Sequence, residues 1–345
     1  MTKTPINRFL PLIALLAALL PSQIALASAD ADHNAALRYW RGMAMMTPEL
    51  EETINAVEFD LLVAPDWTPD DELREALESQ GAQSAIHEFI KGGRLQECDF
   101  GKDLEDGIGF LLPHLGGLRV TAKLLLMDGR MKLADGDPEA AAQRFAAVYA
   151  LAANSAGDKF IVSSLVSVSI LTLCNEVVLH EPVLHQLGEE GRKTVGLATW
   201  RFEDNDPFHL SRAIEYENLM MTTWLRSTFS EPVSEVQVRA FFEDWFGESE
   251  SDASVKNFLT IVNDPDRFEA ELARLRLWYV ESASALNQPD AVAALEAMNK
   301  SIGVSGADHP YGIFTEMLAP SVSRAKKSEL NAIAELEKAR SMLAN

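Results

Sequence analysis

Cysteine is nearly absent from this chain of 345 residues, with only Cys98 and Cys174 present. Two isolated thiols cannot build a zinc site by themselves. Cations are scarce too: 30 Lys and Arg stand against 52 Asp and Glu, a formal charge of −22. Nucleic-acid binding is dominated by phosphate charge, so a chain this acidic is a poor partner for it. Anionic membrane surfaces are disfavoured for the same reason. No run alternates apolar and β-branched residues with polar ones, which argues against a sheet. Gly-x-Ser-x-Gly and a glycine-rich phosphate loop are both missing, so neither a nucleophile elbow nor a phosphate cradle is expected.

The first residues read as an address. Lys3 and Arg8 make a basic start, and Phe9 to Leu20 is apolar apart from Pro11. That run is about 12 residues, short of the roughly 20 a spanning helix needs. Small residues at Ala25, Ala27 and Ala29 follow. This is the layout of a secretory signal peptide over residues 1–27, with cleavage after Ala27 or Ala29. An uncleaved anchor is the alternative. No cysteine near the exit provides a lipid attachment point. The expected protein is exported, periplasmic or extracellular, with no transmembrane span after cleavage. Export permits a disulfide. A Cys98–Cys174 bond would close a loop of about 77 residues, worth roughly 4.5 kcal/mol in the chain-entropy model. Two independent thiols are the other reading.

The rest of the chain, 47% apolar, reads as helix throughout. Apolar residues recur at three- and four-residue spacing, and the starts are marked chemically. Thr47-Pro48-Glu49, Thr68-Pro69-Asp70, Gly136-Asp137-Pro138, Asp264-Pro265-Asp266 and Gln288-Pro289-Asp290 each combine a capping side chain or turn with a proline. The helix opened near Asp70 is expected to continue to Gly92-Gly93. Residues 160–179 are apolar on nearly all sides. Four serines with Thr172, Asn175 and Glu176 make that segment a poor membrane span and a good central helix of a bundle. The expected fold is therefore all-α: antiparallel helical hairpins packed as a bundle or short irregular solenoid. Residues 30–345 form a single all-α domain, with a soft division near 200–206.

Within 125–150, Gly129, Ala141 and Phe145 stand at the spacing of one tetratricopeptide unit, which this stretch resembles. Small Gly129 lets paired helices approach, and Ala141 packs against large Phe145. Asp128 and Lys132 replace the usual Leu and Tyr, and no second copy follows at a period near 34, so the likeness implies a hairpin rather than an array. A broader likeness is carried by Cys98-Asp99-Phe100-Gly101, then Leu111-Leu112-Pro113-His114-Leu115, then Gly136-Asp137-Pro138-Glu139-Ala140-Ala141. Over residues 94–180 this order resembles an uncharacterised family of exported, all-helical bacterial proteins. The resemblance implies an all-α fold and export, and it brings no catalytic residues.

Candidate chemistry is thin. His180 and His185 flank Glu181, but a zincin needs imidazoles at i and i+4. A spacing of five turns the second ring roughly 140° away, and Pro182 is expected to break the helix between them, the next helix running near 188–199. Surface histidines at a helix end are the simpler reading. Asp99, Asp103, Glu105 and Asp106 form an acidic link whose oxygens suit calcium, yet the spacing does not match an EF-hand loop. Caps and turns account for it, or Asp99 pairs with Arg119 or Arg130. His209, Arg212, Glu215 and Glu217 share one expected helix. Ser323 and Lys326 lie one turn apart without the companion motifs of a serine–lysine enzyme. No metal and no cofactor are expected. The expectation is an exported binding, scaffolding or envelope-associated protein whose partner is a protein or an envelope component. The alternative is a helical hydrolase or lyase acting on an envelope polymer.

Overall fold

The computed structural model describes residues 33–101, 112–202, 205–246, 251–302 and 311–344. The signal-like segment 1–27 lies outside them. Every regular element among the described residues is a helix, and one isolated bridge joins Asn34 to Glu97. The fold is all-α, as the periodicity predicts.

The first helices are α1 (Ala35–Met45), α2 (Pro48–Ala56), α3 (Phe59–Leu62), α4 (Asp71–Glu78) and α5 (Gln80–Gly93). Next come α6 (Pro113–Ala134), α7 (Pro138–Ala156), α8 (Ile161–Val178) and α9 (Glu181–Thr199). The remainder are α10 (Leu210–Thr228), α11 (Glu235–Phe246), α12 (Asp252–Val262), α13 (Pro265–Leu286), α14 (Ala291–Ile302), α15 (Gly312–Leu318) and α16 (Val322–Ala344).

Local chemistry sets most of these boundaries. Thr47, Asp70, Asp137 and Asp264 each accept a hydrogen bond from a first-turn N–H of the helix they precede. Each such cap contributes about 1 kcal/mol. Gly136, at φ +80, closes α6 in the left-handed region that glycine adopts without steric cost. Two boundaries depart from the expected ones. Ser79 divides the helix that opens at Asp70, because its side chain turns back to cap α5 at the Ala82 N–H. α9 starts at Glu181, since Pro182 sits in the first turn, where its missing N–H costs nothing. Gly188, at φ +65, then kinks α9.

Buried apolar side chains sort into two clusters. The first is drawn from α1 to α9, with Phe202, Phe208 and the second half of α16 (Ala332, Leu336, Ala339, Leu343). The second is drawn from α10 to α15, with Phe160 and Ile161 at the head of α8 and Val322 and Ala325 at the head of α16. Two helices thus contribute to both cores. α7 packs against α5, α6, α8 and α9. Six of its alanines (141, 142, 147, 150, 152 and 156) are buried and let neighbours approach on several sides. The second core is rich in phenylalanine: Phe258 meets Phe229, Phe242 and Phe314 edge to face and stacks on Phe241. Such pairs add about 0.5–1.5 kcal/mol each beyond area burial.

α8 is the central apolar helix. By length and composition it is long and apolar enough to cross a membrane. It packs here against α6, α7, α10 and α16, and its polar groups are satisfied internally. Ser164 Oγ donates to the Phe160 carbonyl and Ser167 Oγ to the Ala152 carbonyl. Asn175 accepts from Tyr149 Oη at 2.6 Å and donates to the Glu335 carbonyl.

Candidate functional site

Among the described residues, the groups singled out from the sequence for chemistry are not brought together. Asp99 is a turn residue: its Oδ1 accepts the Gly101 N–H at 2.9 Å, and its own N–H and carbonyl both pair with the Asn34 side chain. It does not meet Arg130, which instead donates to the Ala64 carbonyl at 2.6 Å. Asp103, Glu105 and Asp106 lie outside the described residues. His185 is exposed on α9, while His180 occupies the N-cap position of that helix without a side-chain capping bond and lines a hollow between α8 and α16. Among the described residues, no group of three His, Cys, Asp or Glu side chains is placed to hold a metal ion. Cys98 and Cys174 form no disulfide with each other: Cys98 is half-buried and Cys174 fully buried. Ser323 accepts from Asn299 at 2.9 Å and Lys326 pairs with Glu329 at 2.7 Å, so neither activates the other. Gly129 does face Phe145, and Ala141 and Phe145 are fully buried beside it.

Several buried polar groups hold the first core in register. His114 Nε2 lies 3.0 Å from Asp158 Oδ2, and Ser163 Oγ donates to that same oxygen at 2.8 Å. A catalytic triad needs the serine on the imidazole, with the carboxylate behind it. Here Asp158 stands between them. All three side chains are buried, and His114 is covered by Phe100, stacked at 4.0 Å, and by the edge of Trp40. This trio ties α6 to the head of α8. A second cluster joins α5, α6 and α7: buried Asp128 accepts from Arg144 Nε at 2.6 Å and from Gln83 at 3.0 Å. A third begins at Tyr39, whose hydroxyl accepts from Asn154 at 2.6 Å. Arg201 donates to Asn154 and to the carbonyls of Gly93 and Leu95, closing the end of α5. Burial pushes the Tyr39 phenol far above its ordinary range.

Hollows of about 720 and 560 Å³ lie across α2, α3 and the start of α4 and beside the α13–α14 turn, and two further concave regions bear on function. One, of about 600 Å³, runs between α8 and α16 and is lined by Asn175, Glu176, His180, Asn331, Glu335 and Lys338 among others. Nδ1 of His180 is buried there without a hydrogen-bond partner. The other is a furrow across α5, α7 and α9. It is built from two hollows, of about 500 and 290 Å³, which share Ile90, Arg94 and Gln143. Its floor is closed because Gly93 sets α5 directly on α7: a Cβ there would stand 3.3 Å from Ala147 Cα and Ala150 Cβ. Leu197 rises at its edge, 67% exposed. Nothing in the sequence marks this furrow. Lys91 and Arg94 end α5, whereas Leu197 and Arg201 arrive from the end of α9, more than 100 residues later. No short motif announces that meeting.

No family model, curated protein or solved structure matches the chain.

Proposed function

We propose that this chain is an exported helical binding protein of the cell envelope and that the furrow across α5, α7 and α9 is where its partner sits. One observation carries the reading: two neighbouring hollows share Ile90, Arg94 and Gln143 and run on as one open, rigid-floored channel. Binding sites are concave and largely pre-formed. Three packed helices supply that pre-formation here. Export is supported by the basic start, the short apolar run and the small residues before Asp30. The likeness of residues 94–180 to exported helical bacterial proteins points the same way. Two measurements test the proposal. N-terminal sequencing of the secreted form should begin at Ser28 or Asp30. A photo-crosslinking residue at position 197 should capture an envelope component that the same residue at exposed position 236 does not. A product retained from Met1, or equal capture at both positions, overturns it.

The α8–α16 hollow supports a second reading, hydrolysis of an envelope polymer, because Glu176, His180 and Glu335 line it together. Turnover of peptidoglycan that disappears in His180→Ala would establish that reading, and unchanged turnover would end it.

A further inference from the structure

We infer that the furrow takes an acidic peptide segment bearing an apolar side chain. The inference rests on the furrow being the binding site and specifies what fills it.

Charge is the first argument. The chain carries −22 overall, yet the side chains lining the furrow include Lys91, Arg94, Arg144 and Arg201 and not one Asp or Glu. These cations are unequally neutralised. Arg144 is paired with Asp128 at 2.6 Å. Lys91 lies 3.7 Å from Glu88, a carboxylate that Arg38 already holds at 3.0 Å. Among the described residues, Arg201 is bound only by neutral oxygens: two main-chain carbonyls and the Asn154 amide. Arg94 is exposed and makes no ion pair among the described residues. Among the described residues no carboxylate pairs with either guanidinium, and Lys91 shares its one carboxylate. Salt screens charges beyond about 8 Å at physiological ionic strength. At contact distance an anionic group in the channel meets Arg94 and Arg201 directly, with no lining carboxylate beside them.

Shape and polarity give the rest. From Gln83 to Arg94 the α5 wall is about 16 Å long at 1.5 Å per residue. That is the length of about five residues of extended chain. Gln96 and Gln143 offer both amide donors and acceptors, which suit a peptide main chain. Ile90 and the exposed Leu197 form an apolar wall over a floor of Gly93, Ala147 and Ala150. An anionic glycan would leave that wall unused. A peptide with acidic side chains and one aliphatic or aromatic side chain uses all three features.

An array of pentapeptides that vary one apolar position and two Glu or Asp positions, each beside its Gln or Asn counterpart, tests this with the full chain. Acidic members should bind about tenfold tighter than their amides, and the difference should shrink in 0.5 M salt. Arg94→Glu should abolish the preference and Arg94→Lys should keep it. Leu197→Asp should weaken all members. Both side chains are exposed, so the circular dichroism spectrum and melting temperature should not move. Equal binding of acidic and amide peptides, still weakened by Leu197→Asp, overturns the ligand class and leaves the furrow as the site. No peptide binding, with capture at position 197 no better than at 236, overturns both. Adsorption of phosphatidylglycerol vesicles without peptide binding overturns the peptide and assigns the cations to a membrane surface.

Discussion

Glu217 on α10 accepts the main-chain N–H of Ile161 at 2.8 Å, so the head of α8 is capped by a carboxyl from another helix. The first N–H groups of a helix lack intrahelical partners, and α8 has no side-chain cap of its own. Burial lifts the Glu217 carboxyl from 4.5 to about 7, and the Ile161 N–H opposes the rise. Tyr279 of α13 faces it, its own phenol pushed up by burial and by Glu217. Below pH 4.5 the carboxyl is protonated whether the chain is folded or not. Between 4.5 and 7 the unfolded chain releases a proton that the folded chain keeps. Stability therefore falls as pH rises through that window, by on the order of 2–3 kcal/mol, with the positive end of α8 offsetting part of the loss. Glu217→Gln keeps an acceptor for Ile161 and removes the charge. Urea unfolding should show it more stable than the parent at pH 8 and equal to it at pH 4. A variant less stable than the parent at pH 8 contradicts this account.

The α6–α7 hairpin depends on the absence of a side chain at Gly129. A Cβ there would stand 2.5 Å from Phe145 Cε1, and Phe145 is fully buried. Gly129→Ala should cost about 1–3 kcal/mol, the usual range for overpacking, despite the better helix propensity of alanine. Adding Phe145→Leu should recover part of that loss. The double-mutant cycle should therefore show coupling of at least about 0.5 kcal/mol. Strict additivity would mean that the two positions do not press on each other.

Asp128 places a carboxylate with no solvent exposure between Arg144 and Gln83. Removing one partner of a buried ion pair leaves the other charge uncompensated, at about 3–5 kcal/mol. Asp128→Ala should lose stability in that range, measured by denaturant titration. Asp128→Ala with Arg144→Met should lose much less, because no orphaned guanidinium remains. If the double variant is as unstable as Asp128→Ala alone, the loss comes from the packing at position 128 and not from charge.

What the sequence reveals follows from how local each cause is. Thr47, Asp137 and Asp264 can be read as caps because a cap and the N–H groups it serves lie within three residues. α8 is equally plain, since a segment apolar all round has few places to go but a core. Ser79 is harder, because a serine inside a helical period looks like any polar surface residue until its side chain is seen on the Ala82 N–H. Pro182 misleads in the opposite sense: a proline stops a helix or starts one depending on where the helix begins. Tertiary arrangements leave no such trace. His114 and Asp158 are 44 residues apart, and Arg201 reaches the Gly93 carbonyl across 108. Asp99 illustrates the same limit. An arginine of α6 is the partner its sequence context suggests, but its partner is Asn34, the N-cap residue of α1, 65 residues away.

Cys98 and Cys174 should behave as two thiols of very different reactivity. The thiolate is the reacting species, so burial in apolar surroundings suppresses attack both by blocking access and by raising the pKa. Cys174 is fully buried between α7 and α8, its Sγ 3.9 Å from the Phe145 carbonyl, and burial holds its thiol well above the ordinary range. Cys98 is half-buried beside the first core. A disulfide-exchange reagent should therefore label one thiol in the folded protein and two in 6 M guanidinium, and Cys98→Ser should remove the fast reaction. Purification without reductant makes the test decisive. If denaturation exposes no thiol until a reductant is added, the chain has crosslinked. The bond would then contribute roughly 4.5 kcal/mol in the chain-entropy model, and α8 would have to shift to bring its sulfur out to the link.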